Sequence, residues 1–574
     1  MTGASFDVPP VLIVGAGPTG LAAAMSLARA HVPVRLIDKA QQPDPHSRAI
    51  GIQARTLELL EQHRIVDRFL DLGHRARTAN LYSNGNRLAR LDFDPLQTRY
   101  PYLLFLEQSV TERLLTEHLA SFGVEVERGV ELTMFAQGSA GLNVTLQRAD
   151  GHIETLHPSY MIAADGAHSA IRHRLGMSFA GKTYEQTFLL ADLDADTGWP
   201  DDEFHIFASG SGLAALFPMG KGRQRLIADH PAMPAGGPPG GDQMQLTAIP
   251  GPTLDDCRLI AKNRIHHPVE LADLTWSSYF HLNSRMVEQL RAQRVFLAGD
   301  AAHVHSPAGA QGMNTGIQEA FNLGWKLARV LQGDAPDRLL DTYHVERHPI
   351  EREVLRQTSF MTQLAEADHG PLKLLRERVM PVLAALGPLR DAARLTVSEL
   401  AVQYRRSPLT LERVLDGGPR AGERAPDALV HVVDGPLGRA PGFGCIFDLH
   451  DPAFFSLFLL VAPPEEAPPG NGKLLGLARK PVRSADLDRF AAAIEDLLPG
   501  AVRVWRVSDA NGEDGGPSLS ESFGRTRPSF YLVRPDGYVC ARGRPGSDLN
   551  GLLRHCEAWF AKSVSREPPP PSAL

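Results

Sequence analysis

Cysteine is scarce in this chain, with four in 574 residues: Cys257, Cys445, Cys540 and Cys556. They form no C-x-x-C pair and stand at no metal-ligand spacing. That excludes a disulfide scaffold, a dithiol redox centre and a zinc finger. The compartment such usage predicts is a reducing cytoplasm. Long apolar runs are lacking as well. No stretch reaches the roughly 18 residues that a membrane-spanning helix needs, and the N-terminus lacks the basic start, apolar stretch and cleavage site of a secretory signal. There is no basic run, and the formal net charge is −7, so neither nucleic acid nor an anionic membrane is expected as a partner. Internal repeats are missing. His303 and His305 are the one pair that invites a metal, but no further ligand stands at a plausible spacing and none is expected.

What is present begins at residue 11. The segment VLIVGAGPTG (11–20) runs an apolar, β-branched stretch into Gly15-x-Gly17-x-x-Gly20, and LAAAMSLARA follows as a small-residue helix. This reads as a buried parallel strand, a tight turn and a helix start. Gly15 permits the turn, Gly17 lets a pyrophosphate approach the backbone, and Gly20 allows close helix–strand packing. The first N–H groups of the helix and its dipole hold the diphosphate, with Pro18 and Thr19 completing the turn. A second strand, VRLID, ends in Asp38 with Lys39 next to it, where a carboxylate accepts from ribose hydroxyls. The chain therefore opens by binding an adenine dinucleotide. Gly470-Asn-Gly472-Lys-Leu-Leu-Gly476 has its glycines at another spacing, after a Pro-rich stretch, and reads as a surface turn.

A chain of this length exceeds what one core supports, so two to four domains are expected. Residues 47–73 predict a loop and helix, 106–129 a helix then a strand, and the stretch to about 165 antiparallel strands around an Asp-Gly turn. From about 180 to 290, FLLADLDAD, FHIFASGSGLAALFPMG and RQRLIADHP read as strands of a sheet over the cofactor's reactive end. Helical patterns fill 314–404. DGGPRAGERAPDALV (416–430) reads as a linker to a C-terminal module, and the Pro-rich tail as disordered.

A second constellation lies at VFLAGDAAHVHSPAGAQGMNTGIQEAFNLGWKLA (295–328). A strand ends in Gly299-Asp300. A loop with Pro307, Gly309 and Gly312 then leads to a helix starting near Asn314. The carboxylate suits a polyol hydroxyl. The bare helix start suits the negative charge of reduced flavin, worth about 0.3–2 kcal/mol from the dipole.

Three motifs in order now carry a resemblance: the GAGPTG turn; MIAADGAHSAIRHR (161–174) with Asp165, Gly166, Ser169 and Arg172; and the Gly-Asp segment 299–314. Over residues 9–400 the chain resembles the single-component (class A) FAD-dependent aromatic hydroxylases. These include phenol, hydroxybenzoate and hydroxyphenylpropionate hydroxylases and the aromatic polyketide hydroxylases. Two departures are Asp38, where Glu is frequent, and Ala310, where Gly is usual. The resemblance implies that Gly299 and Asp300 meet the FAD ribitol and that Gly309 and the backbone of Gly312, Met313 and Asn314 face the flavin. It also implies that Asp165, Gly166 and Arg172 serve FAD and NADPH binding, and that Arg48 and Gln108 contact FAD. NADPH (or NADH) would reduce the flavin, and O₂ would give a C4a-hydroperoxide that hydroxylates a phenolic ring. Tyr279, His281 and Arg285 are the candidate catalytic helpers, with Pro307 beside the flavin.

The fold class implied is α/β. An FAD-binding Rossmann-like domain (about 1–75, 106–180 and 291–330) is interleaved with a mixed-sheet substrate domain (about 76–105 and 181–290), and helices follow at 331–405. A thioredoxin-like domain without C-x-x-C spans 406–562, with a tail at 563–574. A homodimer is the family default. A polycyclic polyketide as substrate, epoxidation and Baeyer–Villiger insertion remain open on the same fold. A halogenase is excluded by the lack of W-x-W-x-I-P, since all five tryptophans are isolated. A non-catalytic dinucleotide carrier or a plain NAD dehydrogenase would leave the Gly-Asp motif without a purpose.

Overall fold

The computed structural model describes residues 9–45, 49–138, 141–230, 251–305, 311–366, 386–436, 441–461, 484–510 and 516–561. Arg48, Pro307, Gly309, the 470–476 turn and the 563–574 tail lie outside them. Two compact units emerge. The first comprises Met1–Ala28, Pro33–Phe321 and Arg347–Val402; the second, Arg29–Val32, Asn322–Glu346 and Gln403–Leu574.

The first unit is built on a six-stranded sheet in the order Arg291–Ala292, Val295–Leu297, Met161–Ala163, Val11–Val14, Val34–Asp38, Val126–Arg128. All but the first edge pairing are parallel. Strands inside a parallel sheet are buried and read as near-continuous apolar runs; Val11, Leu12, Ile13, Met161, Ile162, Val295 and Phe296 are all shielded from solvent. An eight-stranded sheet takes the expected strands between 180 and 290 and adds Thr78–Ser83 and Asn86–Asp92 at one edge. Its longest members, Ala180–Asp196 and Glu270–Met286, pair antiparallel, and His303–Val304 closes the other edge. A small sheet of Gly51–Ile52, Leu103–Phe105 and His74–Ala76 completes the functional framework. The Asp-Gly hairpin is present between Gly141–Arg148 and Ile153–Leu156, with Gly151 at φ +86°.

The second unit holds a six-stranded mixed sheet, ordered Gly442–Cys445, Leu429–Asp434, Val502–Asp509, Phe455–Leu460, Ser529–Val533, Val539–Gly543. Its core includes Phe455, Leu457, Phe490, Ile494, Phe530, Leu532 and Phe560. The expected linker at 416–430 is a correction. Ala421, Ala425 and Ala428 are buried, the Gly422 N–H donates to Val539 O at 2.6 Å and the Ala425 N–H to Gly537 O at 2.9 Å. Its Gly and Pro serve packed turns, which composition alone cannot tell from a free tether.

Candidate active site

Three motifs far apart in sequence become neighbours because their strands are neighbours. Leu12 pairs with Met161 and Met161 with Val295, so Val14, Ala163 and Leu297 end the three strands at one level. The Ala164 N–H donates to Val14 O at 2.8 Å and the Ala298 N–H to Ala163 O at 3.0 Å. Gly15, Asp165 and Gly299 therefore emerge side by side at the carboxyl ends of parallel strands, where α/β sheets bind their ligands.

The glycine turn is fitted for close approach. Gly15 has φ +104°, and a Cβ there would overlap Ala164 O; one on Gly20 would overlap Gly15 O. Above Gly17 a Cβ would meet nothing within 4 Å, so that side is open to a diphosphate. Asp38 is half-buried. It accepts from the Ala16 N–H at 2.8 Å and the Ala40 N–H at 2.8 Å, with Arg128 at 3.5 Å. It thus braces the turn itself, a role the sequence did not show. Lys39 is exposed. Thr19 links two motifs: a Cβ on Gly299 would come within 2.5 Å of its Oγ1, and one on Gly316 would overlap that atom.

In the Asp-Gly motif, Ser169 caps a short helix, accepting from the Arg172 N–H at 3.0 Å. Burial pushes the Asp165 carboxyl up, against hydrogen bonds from Ser169 and nearby backbone. Oδ2 accepts from the Ile171 N–H at 3.3 Å, while buried Oδ1 has no partner among the described residues. Such an orphan is costly and fits a ligand donor. Gly166, at φ +79°, turns the chain. Arg172 is 2% exposed. It donates to Ala301 O at 3.1 Å and Ala167 O at 2.8 Å and lies over Phe179. Its guanidinium straps the Asp-Gly loop to the Gly-Asp loop.

Asp300 lies exposed in a 3-10 turn, Gly299–Ala301. The helix Gly312–Leu331 begins with no acidic residue in its first turn, so its N-terminal N–H groups and dipole are unopposed by side-chain charge. Gly312 and Met313 are half-exposed, and Asn314 is buried. The Asn314 side chain donates to Gly51 O at 2.8 Å and accepts from the Gln53 N–H at 3.0 Å. It anchors the helix start to the small sheet. Gln108 accepts from the Ala49 N–H at 3.4 Å and donates to Glu112 at 2.9 Å. Sequence reasoning missed Glu319, which is fully buried and accepts from the Gly299 N–H at 2.8 Å and from His303 Nε2 at 2.7 Å. Only the helical repeat of 312–331 could have flagged it as inward-facing.

The comparisons agree with this geometry. Residues 9–358 match the family described as FAD binding domain. The 6-methylpretetramide 4-monooxygenase of Streptomyces rimosus is 34% identical over 94% of this chain and 91% of its own length. The pentachlorophenol 4-monooxygenase of Sphingobium chlorophenolicum is 34% identical over 95% of each. The solved anhydrotetracycline hydroxylase of Streptomyces rimosus superposes with a TM-score of 0.71 at 29% identity, covering 96% of this chain and 99% of that one. The chain belongs to this family of FAD-dependent aromatic monooxygenases. FAD is therefore the cofactor of this chain.

The other wall of the monooxygenase is the eight-stranded sheet, whose faces differ because alternate residues point to opposite sides. Tyr279 packs with Leu189, Cys257, Ile260 and Ala261 beneath the helix Leu254–Arg264, and burial pushes its phenol up. His281 follows two residues on, with Nδ1 buried and unpartnered among the described residues. Arg285 donates to Thr183 Oγ1 at 3.1 Å. The intervening positions Phe280 and Leu282 join Phe188, Tyr184, Leu213 and Ile227 on the opposite face. Phe217, two alternations on from Leu213, meets Phe105 at 5.6 Å. Phe105 pairs with Gly51, whose carbonyl holds Asn314. The aromatic face is therefore the one beside the start of the helix Gly312–Leu331, and Tyr279 lies on the other. Farther along the same strands is an open depression of about 590 Å³, lined by Lys182, Ser284, Met286, Arg352, Arg356 and Phe360 among others.

Proposed function

We propose that this monooxygenase hydroxylates a phenolic ring using O₂ and electrons from NADPH or NADH, and that its substrate is a fused-ring polyketide. The observation that carries this reading is the apolar, aromatic face of Phe188, Phe280, Leu282, Leu213 and Ile227. A face of that breadth suits a ligand larger than one ring. Two relatives named for polycyclic substrates, 6-methylpretetramide and anhydrotetracycline, favour the same choice; the pentachlorophenol enzyme keeps a single ring as the second reading.

Bound FAD would supply the oxygen chemistry. The chain's own residues position and shield. The glycine turn and its helix hold the diphosphate, Asp300 takes ribitol hydroxyls, and the Gly312–Met313 start lays its positive dipole end against charge on the reduced ring. The aromatic face stacks the substrate and excludes water, which protects a reactive oxygenating species from futile breakdown.

The second unit we read as a thioredoxin-like domain, supported by its parallel pair Phe455–Leu460/Val502–Asp509 flanked by the antiparallel pair Ser529–Val533/Val539–Gly543. A reducing cytoplasm is the compartment, and a homodimer the assembly, that we expect. The test is a panel of simple phenols, hydroxybenzoates and polycyclic phenols assayed for coupled consumption of NADPH or NADH and O₂. Stimulation by a polycyclic phenol, with a product heavier by one oxygen, supports the reading. Stimulation by single rings alone moves the substrate to the second reading, and no stimulation by any phenol overturns it.

A further inference from the structure

Behind the Asp300 turn lies a group of buried ionisable side chains that the proposed chemistry does not use. Glu319 is fully buried in the helix Gly312–Leu331. One of its oxygens accepts from the Gly299 N–H at 2.8 Å, the other from His303 Nε2 at 2.7 Å. A single carboxylate thus clamps both ends of the five-residue segment that carries Asp300 out to solvent. His303 Nδ1 has no partner among the described residues, so Nε2 is the ring's recorded anchor. Glu351, also fully buried, stands within 4.8 Å of both groups. Arg347 approaches Glu319 at 3.8 Å.

We propose that Glu319 is a positioning residue for flavin binding: through Gly299 and His303 it sets where Asp300 stands and so governs the grip on the ribitol. This rests on the reading that Asp300 faces the FAD ribitol.

The charges make the clamp titratable. Burial works against an imidazolium at His303, but Glu319 more than offsets it and holds the ring up to about 9. Glu319 itself is kept low by His303 and Arg347 despite its burial, and Glu351 is driven well up, first by burial and then by Glu319. The other charged or titratable groups facing His303 are Asp300, His305 and His348. Because His303 is raised, its contribution is present below neutral pH and is lost as pH climbs through about 9.

The experiment is titration of FAD onto the full-length apoprotein, read by flavin fluorescence from pH 7 to 10. Wild type, Glu319→Gln, Glu319→Ala and Asp300→Ala are compared. Wild-type affinity should fall roughly tenfold across the alkaline step, the scale of losing one charge-assisted hydrogen bond. Glu319→Gln keeps an acceptor for Gly299 and an amide donor for neutral His303, so it should bind FAD with no alkaline step. Glu319→Ala should bind weakly at every pH. Wild-type affinity in Glu319→Ala, or an alkaline step unchanged in Glu319→Gln, overturns the proposal. Full FAD affinity in Asp300→Ala instead overturns the placement of the ribitol. Far-UV circular dichroism of each variant separates loss of binding from loss of fold, and the Gln variant decides if the Ala variant unfolds.

Discussion

Two fully buried glutamates serve the two units in opposite ways. In the second unit, Glu346 is met by Arg534 at 2.6 and 3.0 Å, Lys326 at 2.7 Å, Asn322 at 2.8 Å and Ser407 at 2.6 Å. Arg534 is held in turn by Asp536. The recorded partners are all side chains locked inside the core, and none belongs to a cofactor motif. In the first unit, Glu319 meets a backbone N–H and a histidine at the base of an exposed turn. The same physics, a carboxylate compensated out of water, fixes a core in one place and holds the base of an exposed turn in the other. What separates them is whether a partner is connected to something that faces solvent.

Breaking the comparison at its structural end should give the largest effect. Glu346→Gln leaves Arg534 and Lys326 undercompensated in the core. The expected cost is about 3–5 kcal/mol, seen as a lower denaturant midpoint for the second unit. FAD content in the folded fraction should be unchanged; a variant as stable as wild type would show the cluster to be energetically neutral. Acid does the same more gradually. Burial alone would raise Glu346, but Arg534 and Lys326 hold it well below the usual carboxylate range. A depressed carboxylate contributes stability above its unfolded value and loses it on acidification, so the midpoint should fall below roughly pH 4.

At the ligand end, Asp300→Ala should leave stability close to wild type and weaken FAD about 10–100-fold, as expected for losing hydrogen bonds to a charged group. Flavin absorbance of the purified protein reads this directly. The two faces of the eight-stranded sheet give the smallest and sharpest contrast. Half-buried Phe280 lies on the aromatic face, and its replacement by Ala should raise KM for the accepted substrate about fivefold, from partial loss of apolar burial. Tyr279→Phe, beneath the helix Leu254–Arg264, should stay within about twofold in kcat and KM because it removes a hydroxyl from the other side. The reverse ranking would place the substrate on the odd-numbered face.

Much of the framework was legible from residue order. The apolar run 11–14, the glycine spacing, the acidic end of VRLID and the Gly-Asp segment each carry local rules of strand, turn and helix start, and those elements stand where the pattern puts them. The tertiary fold added what no local rule contains. Only strand order makes residues 15, 165 and 299 adjacent. Only the pairing of Ala180–Asp196 with Glu270–Met286 decides which alternate side chains share a face of the sheet, which moves attention from Tyr279 to Phe280. Segment 416–430 is coil by composition, yet it is packed because Val539 and Gly537 accept its N–H groups.

The sequence by itself determined the cofactor class, because diphosphate and ribitol recognition is written in short contiguous motifs whose geometry follows from backbone conformation. Tertiary structure alone decided the use of Glu319, Glu351 and His303, which are separated by up to 48 positions and meet only when two helices pack against the Asp300 turn. A buried charge has meaning only through the partner that offsets its lost hydration, and that partner is a property of the fold.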